Sequence, residues 1–176
     1  TSGSTGKPKG TMLQHQGAIN LAQAQRTAFN IKSGTRILQF APMSFDASVW
    51  ETVMALLNGA ALVMTDQENL TTGDGLVAVL REHKINTVTL PPSVLAVAPK
   101  TELPDLNTIV TAGEKCPADL VEQWRHGRQY FNAYGPTETT VCASMHLCDG
   151  SFPQGPPIGK PIDNAKLYIL DSNFEP

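Results

Sequence analysis

The stretch RILQFAPMSFDASVWETVMALLNGAALVMT, residues 36–65, decides the fold class. Its first six residues, 36–41, are an apolar run of strand length. Residues 45–58 then place Phe45, Val49, Val53, Leu56 and Leu57 at helical intervals, and Gly59 ends the helix. Residues 60–65 form a second short apolar run. Strand, helix, strand is the unit from which parallel sheets are built. Working outward, the pattern repeats. A helix over 75–84 carries Leu76, Val79 and Leu80 on one face. A strand over 86–90 is broken by Pro91 and Pro92. Another strand covers 107–112, then a helix 118–125, then strands at 129–133 and 141–147. Buried β-branched runs alternating with helices predict an α/β fold with a largely parallel sheet flanked by helices. Residues 166–171 read as one more strand. The loop at 150–161 divides an α/β part, 1–149, from the start of a β-rich piece, 150–176.

Composition narrows the function. A length of 176 residues fits one domain or slightly more. Lys and Arg number 13 against 16 Asp and Glu, so there is no basic excess for a nucleic-acid backbone. Charged residues are 16 % of the chain, against roughly 25 % in an average soluble domain. So lean a surface implies that part of it is normally covered. No apolar run approaches the ~20 residues of a membrane span, and the opening TSGSTG is no secretory signal. Cys116, Cys142 and Cys148 are odd in number and match no zinc spacing, which reads as reduced thiols of a cytoplasmic protein. The chain starts without Met, directly on a functional-looking loop, and is expected to be an internal segment of a larger protein.

That loop is TSGSTGKPKG, residues 1–10. Glycines let backbone N–H groups turn toward an anion, hydroxyls donate hydrogen bonds, and lysines add charge. The spacing is neither that of a Walker A loop nor of a dinucleotide fingerprint. A flexible linker is the competing reading, but a linker has no reason to carry Lys7-Pro8-Lys9-Gly10 in register. Lys7 itself reads as solvated.

With two further motifs the loop resembles the adenylate-forming (AMP-binding) enzyme superfamily of acyl-CoA synthetases, luciferases and peptide-synthetase adenylation domains. NAYGPTETT, residues 132–140, resembles the adenine-and-magnesium motif of that family. FDASVWE, residues 45–51, resembles the amino-acid-binding helix of nonribosomal peptide synthetases. TAGE at 111–114 and GKP at 159–161 also fall where family motifs lie. The resemblance covers essentially the whole chain and implies part of the large N-terminal subdomain of an adenylation domain.

It further implies a reaction: an amino acid and ATP give an aminoacyl adenylate and pyrophosphate, and the acyl group passes to phosphopantetheine on a peptidyl carrier domain. Carried over by motif, Ser2, Gly3, Thr5, Gly6 and Lys9 would hold phosphates. Gly113, Asn132, Tyr134 and Gly135 would border the adenine, with Tyr134 stacked on it. Thr137 would contact the α-phosphate and Glu138 would bind Mg2+. Lys9, Thr137 and Glu138 are the residues expected to act in catalysis. The amino-acid pocket would be lined by Asp46, Ala47, Trp50, Thr89, Val110, Ala112, Ala133, Val141 and Cys142.

Residue chemistry bears on that pocket. An α-ammonium is costly to bury unpaired, and Asp46 is the counter-ion on offer; its competing reading is a helix N-cap. Ala47, Ala112 and Ala133 leave volume, while Trp50, Val110, Val141 and Cys142 are apolar. Thr89 is the one hydroxyl, able to satisfy itself on a backbone carbonyl. A roomy apolar slot floored by an indole suits a large aromatic side chain. Phenylalanine is favoured, with Trp, Leu and Tyr as alternatives. Cys142 reads as wall and not nucleophile, since no His stands in a partner position. His15 caps or starts a helix and is assigned no chemistry. Lacking the remaining parts of the adenylation domain, the isolated segment is expected to be inactive. Two other classes stay open: an aryl or fatty acyl-CoA synthetase segment, in which Asp46 would matter little, and a non-catalytic nucleotide-binding module.

Overall fold

The computed structural model describes residues 9–176. The expected phosphate-loop residues Ser2, Gly3, Thr5 and Gly6 lie outside the described residues. The helices are α1 (His15–Phe29), α2 (Ala47–Leu56), α3 (Gly73–Glu82), α4 (Pro92–Ala96) and α5 (Ala118–Trp124). The strands are β1 (Arg36–Leu38), β2 (Ala61–Val63), β3 (Thr87–Leu90), β4 (Thr108–Thr111), β5 (Gln129–Tyr134), β6 (Ser144–Leu147) and β7 (Lys160–Pro161). Short 3-10 turns occupy Gln67–Leu70 and Thr137–Thr139.

The strands make one seven-stranded sheet in the order β2-β1-β3-β4-β5-β6-β7. Strands β1 to β5 pair in parallel, whereas β6 and β7 are antiparallel additions. Thr89, Val110 and Phe131 stand in register across β3, β4 and β5. Successive side chains of a strand point to opposite faces, and the core divides accordingly. Val88, Leu90, Ile109 and Tyr130 pack against Leu76, Val77 and Leu80 of α3 and Leu120, Val121 and Trp124 of α5. Ile37, Val110, Phe131 and Ala133 pack on the other face against Leu21 and Phe29 of α1 and Trp50 and Met54 of α2.

The sequence-derived elements from β1 to β6 are present, most of them one to three residues shorter at an end. One expected strand is absent. Residues 166–171 form no strand, and Leu167, Tyr168, Ile169 and Leu170 stand exposed. A strand exists only against a neighbour, and none of the described residues pairs with this run. The strand expected over 141–147 begins only at Ser144, because Thr140 and Val141 adopt left-handed backbone, φ 58° and 71°. Helix α1 is additional: His15 is its first residue, in keeping with the expected helix start, and Asn30 closes it in the left-handed conformation. Helix α4 starts at the same proline pair that stops β3, since proline suits a first helical turn.

Candidate functional site

Strands β3, β4 and β5 end side by side, and the expected site residues gather just beyond their carboxyl ends, where ligands bind in open α/β sheets. Two adjoining cavities lie there. An inner one of about 50 Å³ is lined by Ala47, Trp50, Thr89, Ala133, Val141 and Cys142 among others. A larger cleft of about 390 Å³ opens outward, with Phe45, Asp46, Glu51, Pro91, Glu114 and Val141 in its walls. Ala47, Thr89, Ala112, Gly113, Gly135 and Val141 border both. The structure thus brings together every expected pocket residue but one. Val110 lines neither cavity. It is fully buried in the same core cluster as Trp50.

Helix α2 supplies the floor. Trp50 is 2 % exposed and packs edge-on against Phe29, with ring centroids 5.8 Å apart. Its Nε1 donates to Thr89 Oγ1 at 2.8 Å. The expectation that Thr89 turns to a backbone carbonyl gives way to this: it accepts from the indole, and the buried N–H is satisfied by the hydroxyl that itself lines the slot. Gln25 of α1, also fully buried, donates to the Trp50 carbonyl at 3.0 Å. With the indole clamped so closely, most of the room lies in the outer cleft and not at Trp50, where a roomy slot was expected.

Asp46 precedes α2, but its carboxylate makes no capping bond to that helix. It accepts instead from the Thr137 hydroxyl at 2.5 Å, across 91 residues of sequence. The N-cap reading of Asp46 is therefore set aside. Glu51, quoted in the same motif but given no role, is fully buried, and its carboxylate accepts from the backbone N–H groups of Phe40 and Ala41 at 3.1 to 3.2 Å. These two amides lie past the end of β1, so Glu51 supplies the acceptor that a strand neighbour does not. Burial outweighs the two donors and pushes its carboxyl up to about 8.

The wall beyond β5 is held by unusual backbone. Cys142 N donates to Thr140 O at 2.9 Å, closing a γ-turn with Val141 at its centre, φ 71°. That form is rare and strained, at a cost of about 1–3 kcal/mol, the more so for a β-branched residue. Gly135 passes so close to this turn that a Cβ there would stand 2.5 Å from the Cys142 Cα, which accounts for the glycine after Tyr134. Cys142 is buried with its thiol pushed up to about 12 by desolvation, which fits an inert wall.

The expected nucleotide residues range from buried Asn132 to exposed side chains. Tyr134 is 49 % exposed, and Glu138 and Lys9 are exposed. Gly113 takes φ 85°, a turn that favours glycine, two residues past the end of β4. Asn132 donates to Pro157 O at 2.9 Å and so ties the 150–161 loop to β5. A cation here would not sit in a protein cage, because no cluster of three His, Cys, Asp or Glu exists among the described residues. A lone exposed carboxylate such as Glu138 fits Mg2+ that arrives with phosphate oxygens and water. No described helix is long and apolar enough to cross a membrane.

An α/β protein with an acid-rimmed, apolar-floored cleft at the carboxyl ends of parallel strands is the class that fold and site define. The model of the AMP-binding enzyme family matches residues 1–176, and the chain belongs to that family. It is of the adenylation type found in nonribosomal peptide synthetases. It is 53 % identical over its whole length to a linear gramicidin synthase from Brevibacillus parabrevis, of which it spans 3 %. Among solved structures it resembles the nonribosomal peptide synthetase FmoA3 bound to alpha-methyl-L-serine-AMP, with TM-score 0.90 and 29 % identity over 97 % of this chain and 21 % of that one. The Vibrio cholerae adenylation domain AlmE, in complex with glycyl-adenosine-5'-phosphate, matches with TM-score 0.86 and 26 % identity over 99 % of this chain and 34 % of that one.

Proposed function

We propose that these residues are the amino-acid-selecting part of an adenylation domain that activates L-phenylalanine. The observation that carries this reading is Asp46 at the edge of an apolar cleft floored by Trp50. Asp46 pairs the α-ammonium, and the side chain lies over Ala47, Ala112 and Ala133 toward the indole. A cavity able to hold benzene is ~150 Å³, so a phenyl ring uses the inner space of about 50 Å³ together with part of the outer cleft. With the Trp50 N–H already taken by Thr89, the indole on the floor offers no free donor to reward a phenol.

The reaction runs in two steps. A carboxylate oxygen of the amino acid forms a bond to the α-phosphorus of ATP, and the bond from that phosphorus to the β-phosphate bridge breaks, releasing pyrophosphate. The phosphopantetheine thiolate of a carrier domain then attacks the acyl carbon and AMP leaves. These residues contribute position and charge. Tyr134, Asn132, Gly113 and Gly135 border the adenine, Thr137 donates to the α-phosphate, and Ser2, Gly3, Thr5, Gly6 and Lys9 hold the outer phosphates. Bound at Glu138, Mg2+ supplies countercharge to the phosphates. The rest of the adenylation domain completes the site, so the isolated segment turns over little or not at all.

The test is to graft residues 1–176 into a complete adenylation domain of non-aromatic specificity and measure amino-acid-dependent ATP–pyrophosphate exchange over a panel. Strongest exchange with phenylalanine supports the reading. A folded, ATP-binding graft that keeps the host's preference overturns the choice of substrate.

A further inference from the structure

Asp46 and Thr137 belong to two different motifs, one facing the amino acid and one facing the nucleotide, yet they bond directly. The separation of 2.5 Å is in the range of a charge-assisted hydroxyl–carboxylate hydrogen bond. A threonine hydroxyl has one proton to donate. It can serve Asp46 or a phosphate oxygen, but not both. Thr137 is half-buried on a 3-10 turn, and Asp46 is half-buried at the head of α2. Among the described residues, the cleft walls add the carboxyl groups of Glu51 and Glu114 beside Asp46 and no Lys or Arg. The Thr137 hydroxyl, reaching Asp46 from outside those lining residues, is thus a principal donor to the Asp46 carboxylate.

We infer that the Thr137 proton is handed over: it holds Asp46 in the empty site and passes to the nucleotide phosphate when an α-ammonium takes its place on Asp46. Each ligand then favours the other. The ammonium neutralises Asp46 and weakens its hold on the hydroxyl, which frees that hydroxyl for phosphate. The phosphate in turn draws the hydroxyl away and leaves Asp46 open to the ammonium. By linkage the two effects are one coupling, equal in both directions. The inference rests on the amino-acid and nucleotide assignments made above.

The test uses the full-length protein that carries these residues. The Kd of phenylalanine is measured by calorimetry, alone and with a saturating non-hydrolysable ATP analogue and Mg2+. In the parent protein the analogue should tighten phenylalanine about 10-fold, inside the ordinary range of such couplings. In Thr137→Val that ratio should fall to near one, and phenylalanine alone should bind several-fold tighter, because nothing competes for Asp46. Thr137→Ser should restore the parent ratio. A parent ratio retained in Thr137→Val assigns the coupling to charge neutralisation and overturns the handover. So does phenylalanine alone binding Thr137→Val no tighter than the parent, a measurement that decides the matter even if the variant no longer holds nucleotide. Thr137→Ala, read the same way, replaces Thr137→Val should that variant not fold. A parent protein that binds the analogue but no amino acid of the panel overturns the substrate reading first, and this inference with it.

Discussion

The two faces of the sheet differ in what they bury. Beneath it, α3 and α5 meet β3, β4 and β5 through Leu76, Leu80, Val88, Ile109, Leu120, Trp124 and Tyr130, a nearly continuous apolar layer. Above it, α1 and α2 bury Gln25, Glu51 and Thr89 among apolar neighbours, and the two cavities open on that side. The lower face spends its sequence on stability. The upper face keeps polar groups held one by one: Gln25 Nε2 donates to the Trp50 carbonyl, Glu51 accepts from the Phe40 and Ala41 amides, and Thr89 accepts from the Trp50 indole. Stability and selectivity are separated by the alternation of side chains along three strands.

Substitutions on the two faces should therefore fail differently. The largest effect is expected for Asp46→Ala, which leaves a bound ammonium unpaired. Removing one member of such a pair costs ~3–5 kcal/mol, or about 10²–10⁴-fold in amino-acid-dependent exchange. An effect under 10-fold would favour an acyl-CoA synthetase type of site. Next is Ile109→Ala on the lower face, expected to cost ~2–5 kcal/mol by urea unfolding while leaving the order of preferred amino acids unchanged. A change in that order would show the two faces to be coupled. Thr89→Val should cost ~1–3 kcal/mol, because it strands the buried Trp50 N–H, and should let in substrates bearing an acceptor.

The remaining effect is a pH dependence. The folded chain holds the Glu51 proton up to about pH 8, whereas a free carboxyl releases it near 4.5. Where the native state binds more protons than the unfolded one, stability falls as pH rises. The contribution of Glu51 is thus complete below about 4.5, is lost progressively up to about 8, and is flat above. Glu51→Gln lacks this slope, so its urea midpoint should gain on the parent's between pH 5 and pH 8. Parallel profiles would count against the buried, protonated carboxyl.

How much of this could be read from sequence follows from what each feature depends on. Helix α2 and strands β1 to β5 declare themselves through local periodicity, and the pocket residues follow from motifs placed on those elements. Helix α1 does not declare itself, because buried Gln25 interrupts its apolar stripe. Residues 166–171 mislead for the opposite reason: their apolar pattern is real, but pairing is not a local property. Thr140 and Val141 carry no left-handed signature in their residue types, and it is packing against Gly135 that sets their backbone. The Asp46–Thr137 bond spans two motifs, and no spacing rule announces it.

The chain has two tryptophans, one on each face. Trp50 borders the inner cavity through an indole hydrogen-bonded to Thr89, while Trp124 lies in the opposite layer with the Arg128 guanidinium 5.8 Å from its ring. The tryptophan fluorescence of these 176 residues therefore has two separable sources. A ligand that reaches the floor perturbs the emission of Trp50 and leaves Trp124 as an internal standard. Trp50→Phe should silence the response and keep the background, so the molecule comes with its own unlabelled optical sensor of occupancy.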